Sequence, residues 1–279
     1  MLRALRPRMM AARIDETVEK GSAMRENIVK AKLYRGEAVM GPFIPLPSPV
    51  VMELTALSGF DFGIIDCEHG YPDLESVYAM ALAAEARGMT ALARCNVRDP
   101  QVILRYIDLG VQGIHVPQIN TKEEAEEFVQ ACTYQPRGWR GSASPRASDY
   151  GLNPMKAYDW MQFLSREMLT VAHIESPRAI DNLEAICEVE GLDVLFLGRG
   201  DLSHALGIPN EFDHPQMMEQ MNRVAEKAKG SGKILGTIVR NAAQASEAIA
   251  MGYLYIACGA TAFMVQGMKQ FIADVNNAT

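Results

Sequence analysis

Four stretches of this 279-residue chain share one form, a short apolar run that delivers ionisable residues at its carboxyl end. They are Phe62-Gly63-Ile64-Ile65-Asp66 followed by Cys67-Glu68-His69-Gly70; Thr90-Ala91-Leu92-Ala93-Arg94; Val171-Ala172-His173-Ile174-Glu175; and Val194-Leu195-Phe196-Leu197 followed by Gly198-Arg199-Gly200-Asp201. Apolar runs of this length, bounded by turn residues, have the pattern of buried strands. The alternation continues along the chain and gives strands over residues 38–44, 62–66, 90–94, 113–116, 168–174, 194–197, 234–239 and 253–257. Helices are expected over 24–35, 50–58, 74–86, 100–109, 122–132, 155–165, 177–189, 214–229, 242–251 and 260–275. Eight strands alternating with helices, and no linker-like composition after residue 24, favour one (β/α)8 TIM barrel over residues 25–279. An open dinucleotide-binding sheet is the rival, suggested by Gly198-Arg199-Gly200 after a strand. Ser203 replaces the third glycine of that fingerprint, and the unit is sixth in the chain instead of first.

Composition removes several function classes. A net charge of −7 argues against a nucleic-acid surface, which needs a basic footprint. No apolar run reaches the roughly 18 residues of a membrane-spanning helix. The five cysteines are odd in number, scattered and without metal-type pair spacing, so they fit a reducing, cytoplasmic setting better than a disulfide framework. Residues 1–24 differ from the rest: Arg3, Arg6, Arg8 and Arg13 occur with no acid among residues 1–13, and Met24 is itself a candidate start. A disordered basic extension or an over-long gene start is the preferred reading, ahead of a transit peptide.

In a barrel the strand ends converge on one face, where active sites are built. Glu175 alone reads equally well as a helix-capping acid, and Asp201 as a turn residue. Together, at the ends of adjacent strands five and six, two carboxylates suit one hard cation that keeps water or substrate on its other positions. With no ligating cysteine cluster, Mg²⁺ or Mn²⁺ is expected before zinc, with Co²⁺ a further candidate. His69, in a polar, glycine-bounded turn beside acids, is the candidate general base. Arg94 is positioned for a carboxylate or a developing oxyanion, or else for an ion pair with Asp66 or Glu68. His115 and His173 lie within strands, where the alternative to a functional role is filling the barrel interior. Cys67 has no thiolate-stabilising setting. The irregular region 134–153 is long enough to suggest a functional loop. Such a set suits a 2-oxo acid chelated by the metal, whose Lewis acidity polarises the keto group toward an enolate. A barrel retained only as a metabolite-binding protein is the non-enzymatic alternative.

With these residues in place, the chain resembles the HpcH/HpaI aldolases, the class II pyruvate aldolases typified by 4-hydroxy-2-oxoheptanedioate aldolase. The resemblance runs from about Met24 to the C-terminus. It is carried by Gly59-Phe60-Asp61-Phe62, Ile65-Asp66-Cys67-Glu68-His69, Arg94 with Asp99-Pro100, Gly138-Trp139-Arg140-Gly141, Ile174-Glu175 and Asp201-Leu202-Ser203. It implies a (β/α)8 barrel of the phosphoenolpyruvate/pyruvate type, hexameric as a trimer of dimers, with its last helix exchanged between subunits. It implies cleavage of a 4-hydroxy-2-oxo acid to pyruvate and an aldehyde. His69 would be the base, Arg94 the stabiliser of transition-state charge, and Asp108 the acid that raises the basicity of His69. Glu175 and Asp201 would hold the metal, with Asp201, the Gly200 backbone and position 173 at the substrate. The resemblance also suggests Tyr150 as a substrate-facing residue of the long loop. Two departures stand out. His173 occupies a position where these aldolases usually carry glutamine, and Gly198-Arg199 stands where they carry Gly-Pro. Non-aldolase relatives, macrophomate synthase and the citrate synthase of siderophore pathways, therefore supply an alternative: carbon–carbon bond formation from oxaloacetate, with His173 and Arg199 as extra donors for a second carboxylate.

Overall fold

The computed structural model describes residues 25–278, so the basic extension of the sequence reading lies outside the described residues. Eight parallel strands, each hydrogen-bonded to the next in chain order, close into a barrel through pairing of the first with the eighth. The strands are β1 (Val39–Ile44), β2 (Phe62–Asp66), β3 (Thr90–Arg94), β4 (Gly113–Val116), β5 (Leu169–Ile174), β6 (Val194–Leu197), β7 (Ile234–Ile238) and β8 (Tyr253–Gly259). The helices are α1 (Ile28–Tyr34), α2 (Pro49–Leu57), α3 (Leu74–Ala86), α4 (Pro100–Asp108), α5 (Lys122–Cys132), α6 (Ala157–Glu167), α7 (Pro177–Asp181), α8 (Leu183–Cys187), α9 (Arg199–Ala205), α10 (Pro215–Ala228), α11 (Ala242–Ala250) and α12 (Ala260–Ala278). This is the (β/α)8 barrel that the sequence predicts. None of these helices is long and apolar enough to cross a membrane.

Local chemistry sets the helix starts. Asp99 accepts from the backbone of Gln101 and Val102, with Pro100 in the first turn. Thr121 and Glu124 form a reciprocal capping box at α5. Residues 177–189, expected as one helix, divide at Asn182 into α7 and α8. The Asn182 side chain donates to the carbonyl of Asn120, a tertiary contact that competes with a continuous helix.

Strand periodicity then sorts side chains between two cores. Phe62, Ile64, Leu92, Val171, Val194, Phe196 and Tyr255 fill the barrel interior, while Ile65, Ala93, Ala172, Leu195 and Leu197 pack outward against the helices. Val29 and Leu33 of α1 join the inner cluster and close the amino-terminal end. Buried Asn27 anchors that plug by donating to the carbonyls of Gln112 and Glu167, just before β4 and β5. The same alternation turns Asp66, Arg94, His115, His173 and Glu175 inward, at or near the carboxyl ends of their strands. Register confirms the level: Asp66 is opposite Arg94, and Arg94 is opposite His115.

Candidate active site

Asp66 organises the rim after β2. It is 3% exposed, and its carboxylate accepts from Arg94 Nε at 2.9 Å and Nη2 at 2.6 Å. Its Oδ1 also accepts from the backbone N–H groups of Glu68 and His69, both at 3.2 Å. Burial alone would raise the Asp66 pKa, but the Arg94 fork and these two amides outweigh it and hold the carboxyl below its ordinary value. The turn closes through Gly70, where a side chain would run into the backbone of Asp66 and Pro45. His69 is thereby presented outward, its side chain 62% exposed and its Nε2 3.8 Å from Glu68 Oε2.

Arg94 forms both ion pairs that the sequence offered as its plain reading, since Nη1 also lies 3.2 Å from Glu68 Oε2. Its guanidinium stacks over Phe43, 4.4 Å from the ring centroid. Glu68 stays on the rim, with burial first and the nearby Glu175 charge also pushing its pKa up, against Arg94, His69 and His173. Cys67 points outward into the helix-facing core, and its thiol is pushed up to about 11 mainly by burial. That excludes a resting thiolate nucleophile.

Glu175 is 8% exposed and held at both oxygens. Oε1 accepts the N–H of Gln118 at 2.7 Å, and Oε2 lies 3.3 Å from His173 Nδ1. Gln118 takes a left-handed φ of 56° to aim that amide, a strained choice for a non-glycine residue. Burial raises the Glu175 pKa, but His173, Gln118 and Arg94 together bring it below the ordinary value. A Cβ at Gly198 would sit 2.6 Å from Glu175 Oε2, so the β6–α9 turn lies directly against this carboxylate. Asp201, in the first turn of α9, is exposed and makes no hydrogen bond or ion pair within the described residues. A side chain at Gly200 would meet nothing within 4 Å, which leaves that backbone open.

The donor chemistry here, one fixed carboxylate and a second free one helical turn from Gly198, is of the kind that suits a hard divalent cation. Among the described residues no group of three or more His, Cys, Asp or Glu side chains is placed to hold a metal ion by itself.

Other sequence candidates sit elsewhere. Asp108 ends α4, which runs back from the carboxyl end of β3, so about 13 Å of helix carries it toward the opposite rim from His69. There it pairs with Arg140 at 2.9 Å. Within one chain Asp108 and His69 are therefore not brought together. Tyr150 is 59% exposed and lies beside Tyr78 of α3, which together with burial raises its pKa. Arg199 turns away from the mouth: it is 2% exposed and donates to the carbonyls of Phe212 and Ile238. His173 is 1% exposed with both ring nitrogens engaged by protein atoms, so it offers no free donor to a substrate. Gln118 and Tyr255 carried no signal in the sequence, and His115 only that of a polar residue in a strand.

Comparison with known proteins gives a consistent identity. Residues 40–266 match the model of the HpcH/HpaI aldolase/citrate lyase family. The chain is 34% identical over 234 residues to 4-hydroxy-2-oxovalerate aldolase of Rhodococcus jostii (strain RHA1), covering 84% of this chain and 89% of that one. Among solved structures, an HpcH/HpaI aldolase/citrate lyase family protein from Burkholderia cenocepacia J2315 superposes with a TM-score of 0.84 at 27% identity, covering 90% and 99% of the two chains. The citrate synthase SbnG superposes at 0.80 and 27% identity, covering 89% and 97%. With a barrel that gathers His69, Arg94, Glu175 and Asp201 on one rim, this chain belongs to the HpcH/HpaI aldolase/citrate lyase family.

Proposed function

We propose that this protein is an aldehyde-lyase that cleaves a 4-hydroxy-2-oxo acid into pyruvate and an aldehyde. The observation that carries the reading is the shared rim: an outward-facing histidine, a fixed arginine, and a carboxylate clamped beside a free one. Glu175 and Asp201 would hold a divalent ion, Mg²⁺ or Mn²⁺ by donor chemistry, which when bound supplies Lewis acidity for the 2-oxo acid. His69 takes the proton of the 4-hydroxyl as the C3–C4 bond breaks. A proton is then returned to C3, which becomes the methyl group of pyruvate. A well-placed base of this kind contributes roughly 10²–10⁴-fold. Arg94, held rigid by Asp66 and Glu68, offsets the negative charge that develops on the 2-oxo oxygen.

A second chain completes this reading. Asp108 is at the wrong end of its own barrel to support His69, so a dyad between them requires a neighbouring copy. The outer face of α12 supports association. Phe263, Val265, Met268, Phe271 and Ile272 are 44–68% exposed, and covering the exposed part of each is worth about 0.7–2 kcal/mol of apolar burial. A hexamer with exchanged terminal helices satisfies both demands.

Similarity to a citrate synthase keeps an oxaloacetate-using carbon–carbon bond-forming reaction as the second reading. Its proposed extra donors are both committed, Arg199 to backbone carbonyls and His173 to Glu175 and His115. The test is incubation with Mn²⁺ or Mg²⁺ and 4-hydroxy-2-oxo acids that differ in the aldehyde half. Equimolar pyruvate and aldehyde are expected. Consumption of oxaloacetate together with inertness toward every such acid would overturn the lyase reading.

A further inference from the structure

Beneath the rim, three buried side chains from separate strands form one hydrogen-bonded line to Glu175. Tyr255 Oη of β8 lies 2.7 Å from His115 Nε2 of β4. His115 Nδ1 lies 3.0 Å from His173 Nε2 of β5, and His173 Nδ1 lies 3.3 Å from Glu175 Oε2. Tyr255 and His115 are 0% exposed and His173 is 1% exposed, so water does not complete any of these bonds. We propose that Tyr255 is a positioning residue whose hydroxyl proton, together with the Glu175 carboxylate at the other end of the line, sets the tautomers of both histidines, so that a single N–H is aimed at Glu175.

The argument is a donor count. Among the described residues Tyr255 makes no side-chain hydrogen bond other than the one to His115, which is the acceptor available to its O–H. If it donates to His115 Nε2, His115 must carry its proton on Nδ1. His115 Nδ1–H then donates to His173 Nε2, which forces the His173 proton onto Nδ1, facing the Glu175 carboxylate. Every donor then has an acceptor. Running the line the other way gives His115 Nε2–H donating to the tyrosine oxygen, which strands the tyrosine O–H in a dry interior. It then also requires either an imidazolium at His173 or a bare Nδ1 lone pair against the carboxylate. An unmade buried donor is costly, and that cost selects the first direction. Surroundings enforce the geometry. Phe62 stacks on Tyr255 with centroids 4.5 Å apart, and Phe43 and Phe196 contact both histidine rings.

The consequence for the site is a carboxylate fixed at both oxygens, by Gln118 N–H on one side and the tautomer line on the other. This last link, from Glu175 orientation to metal affinity, rests on the metal reading above; the tautomers do not. Imidazole ¹⁵N NMR of the metal-free protein reads them directly, with peaks assigned by substituting His69, His204 and His214 in turn. The expected spectrum has the proton on Nδ1 of both His115 and His173, the less common tautomer of free histidine. Tyr255→Phe keeps the ring stack but removes the proton, leaving only the Glu175 carboxylate to select the tautomer, and should bring a second, Nε2-protonated population of the two histidines into the spectrum. A proton on Nε2 of either histidine in the unsubstituted protein overturns the proposal, as does a His173 spectrum unchanged in Tyr255→Phe. Should that variant fail to fold, the unsubstituted spectrum still decides. Mn²⁺ titration followed by electron paramagnetic resonance tests the link to the site, with affinity expected to fall about tenfold in Tyr255→Phe, as for other residues that orient a ligand. If Mn²⁺ does not bind the unsubstituted protein, the metal reading fails while the NMR result stands on its own.

Discussion

Replacing Asp66 by Asn tests whether the rim is held by one buried carboxylate. The substitution preserves shape but removes the charge that faces the Arg94 fork and points an amide N–H₂ at one of its donors. Asp66 is 3% exposed, and its partner's side chain is 12% exposed, so water does not replace the lost acceptor. Breaking a buried pair by removing one member costs about 3–5 kcal/mol. Glu68 remains 3.2 Å from Nη1 and keeps part of the compensation, which puts the expected loss at the low end, about 3 kcal/mol. At about 2–4 °C per kcal/mol for a domain of this size, the melting temperature should fall by about 6–12 °C. Calorimetry of Asp66→Asn, Arg94→Met and the double variant separates the pair from the rest. The double variant should be more stable than the sum of the single losses implies, because neither member of the Asp66–Arg94 pair is then left as a charge facing a lost partner. Activity should fall as well, since His69 hangs from the same carboxylate through its backbone N–H. A fall below 2 °C, or strict additivity in the cycle, would refute the reasoning.

Further expectations follow from the same geometry. Because the folded-state pKa of Asp66 is lowered, the stability it adds is complete above its unfolded value near 3.9 and is lost as pH falls through the folded value. The melting gap between the unsubstituted protein and Asp66→Asn should therefore be constant above about pH 5 and close on acidification below about pH 4; a gap that widens on acidification would contradict this. Gly198→Ala places a methyl group against Glu175 Oε2 and should weaken Mn²⁺ binding while preserving the far-ultraviolet circular dichroism spectrum. Cys67→Ser should leave kcat within about twofold, because a thiol at about 11 is not a nucleophile at neutral pH. Charge on α12, as in Met268→Glu with Phe271→Glu, should shift the protein to smaller species in light scattering; an unchanged mass would sink the assembly role of that face.

Much of the frame was legible in the sequence, because strands and barrel faces are set by local periodicity. The ends of β2, β3, β4 and β6 lie where the apolar runs stop, and counting by twos from Phe62 or Leu169 already turns Asp66 and Glu175 inward. Pairing of Arg94 with Asp66 and Glu68 was also readable, since adjacent parallel strands align their ends. What was not legible depends on long-range closure. Tyr255 meets His115 only because β8 returns to complete a barrel whose interior is narrow enough for rings to touch across it. The amide of Gln118 reaches Glu175 through a left-handed backbone that nothing in its sequence announces. Arg199 looked like a mouth residue by its position after β6, yet the carbonyls of Phe212 and Ile238 draw it under the following loop. Asp108 shows the limit most clearly. A motif match assigns it to His69, while the direction of α4 carries it to the other end of its own barrel, and no single-chain reading of sequence or structure joins the two.

The most direct test of the central claim is proton exchange at the pyruvate methyl group in D₂O, followed by ¹H NMR with and without Mn²⁺ or Mg²⁺. Enolisation of pyruvate is the half-reaction shared by every 4-hydroxy-2-oxo acid the enzyme would cleave, so the assay needs no knowledge of the aldehyde. The account predicts exchange that depends on the divalent ion and is lost in both His69→Ala and Glu175→Gln. Exchange that is absent with either ion, or that persists undiminished in both variants, would contradict it.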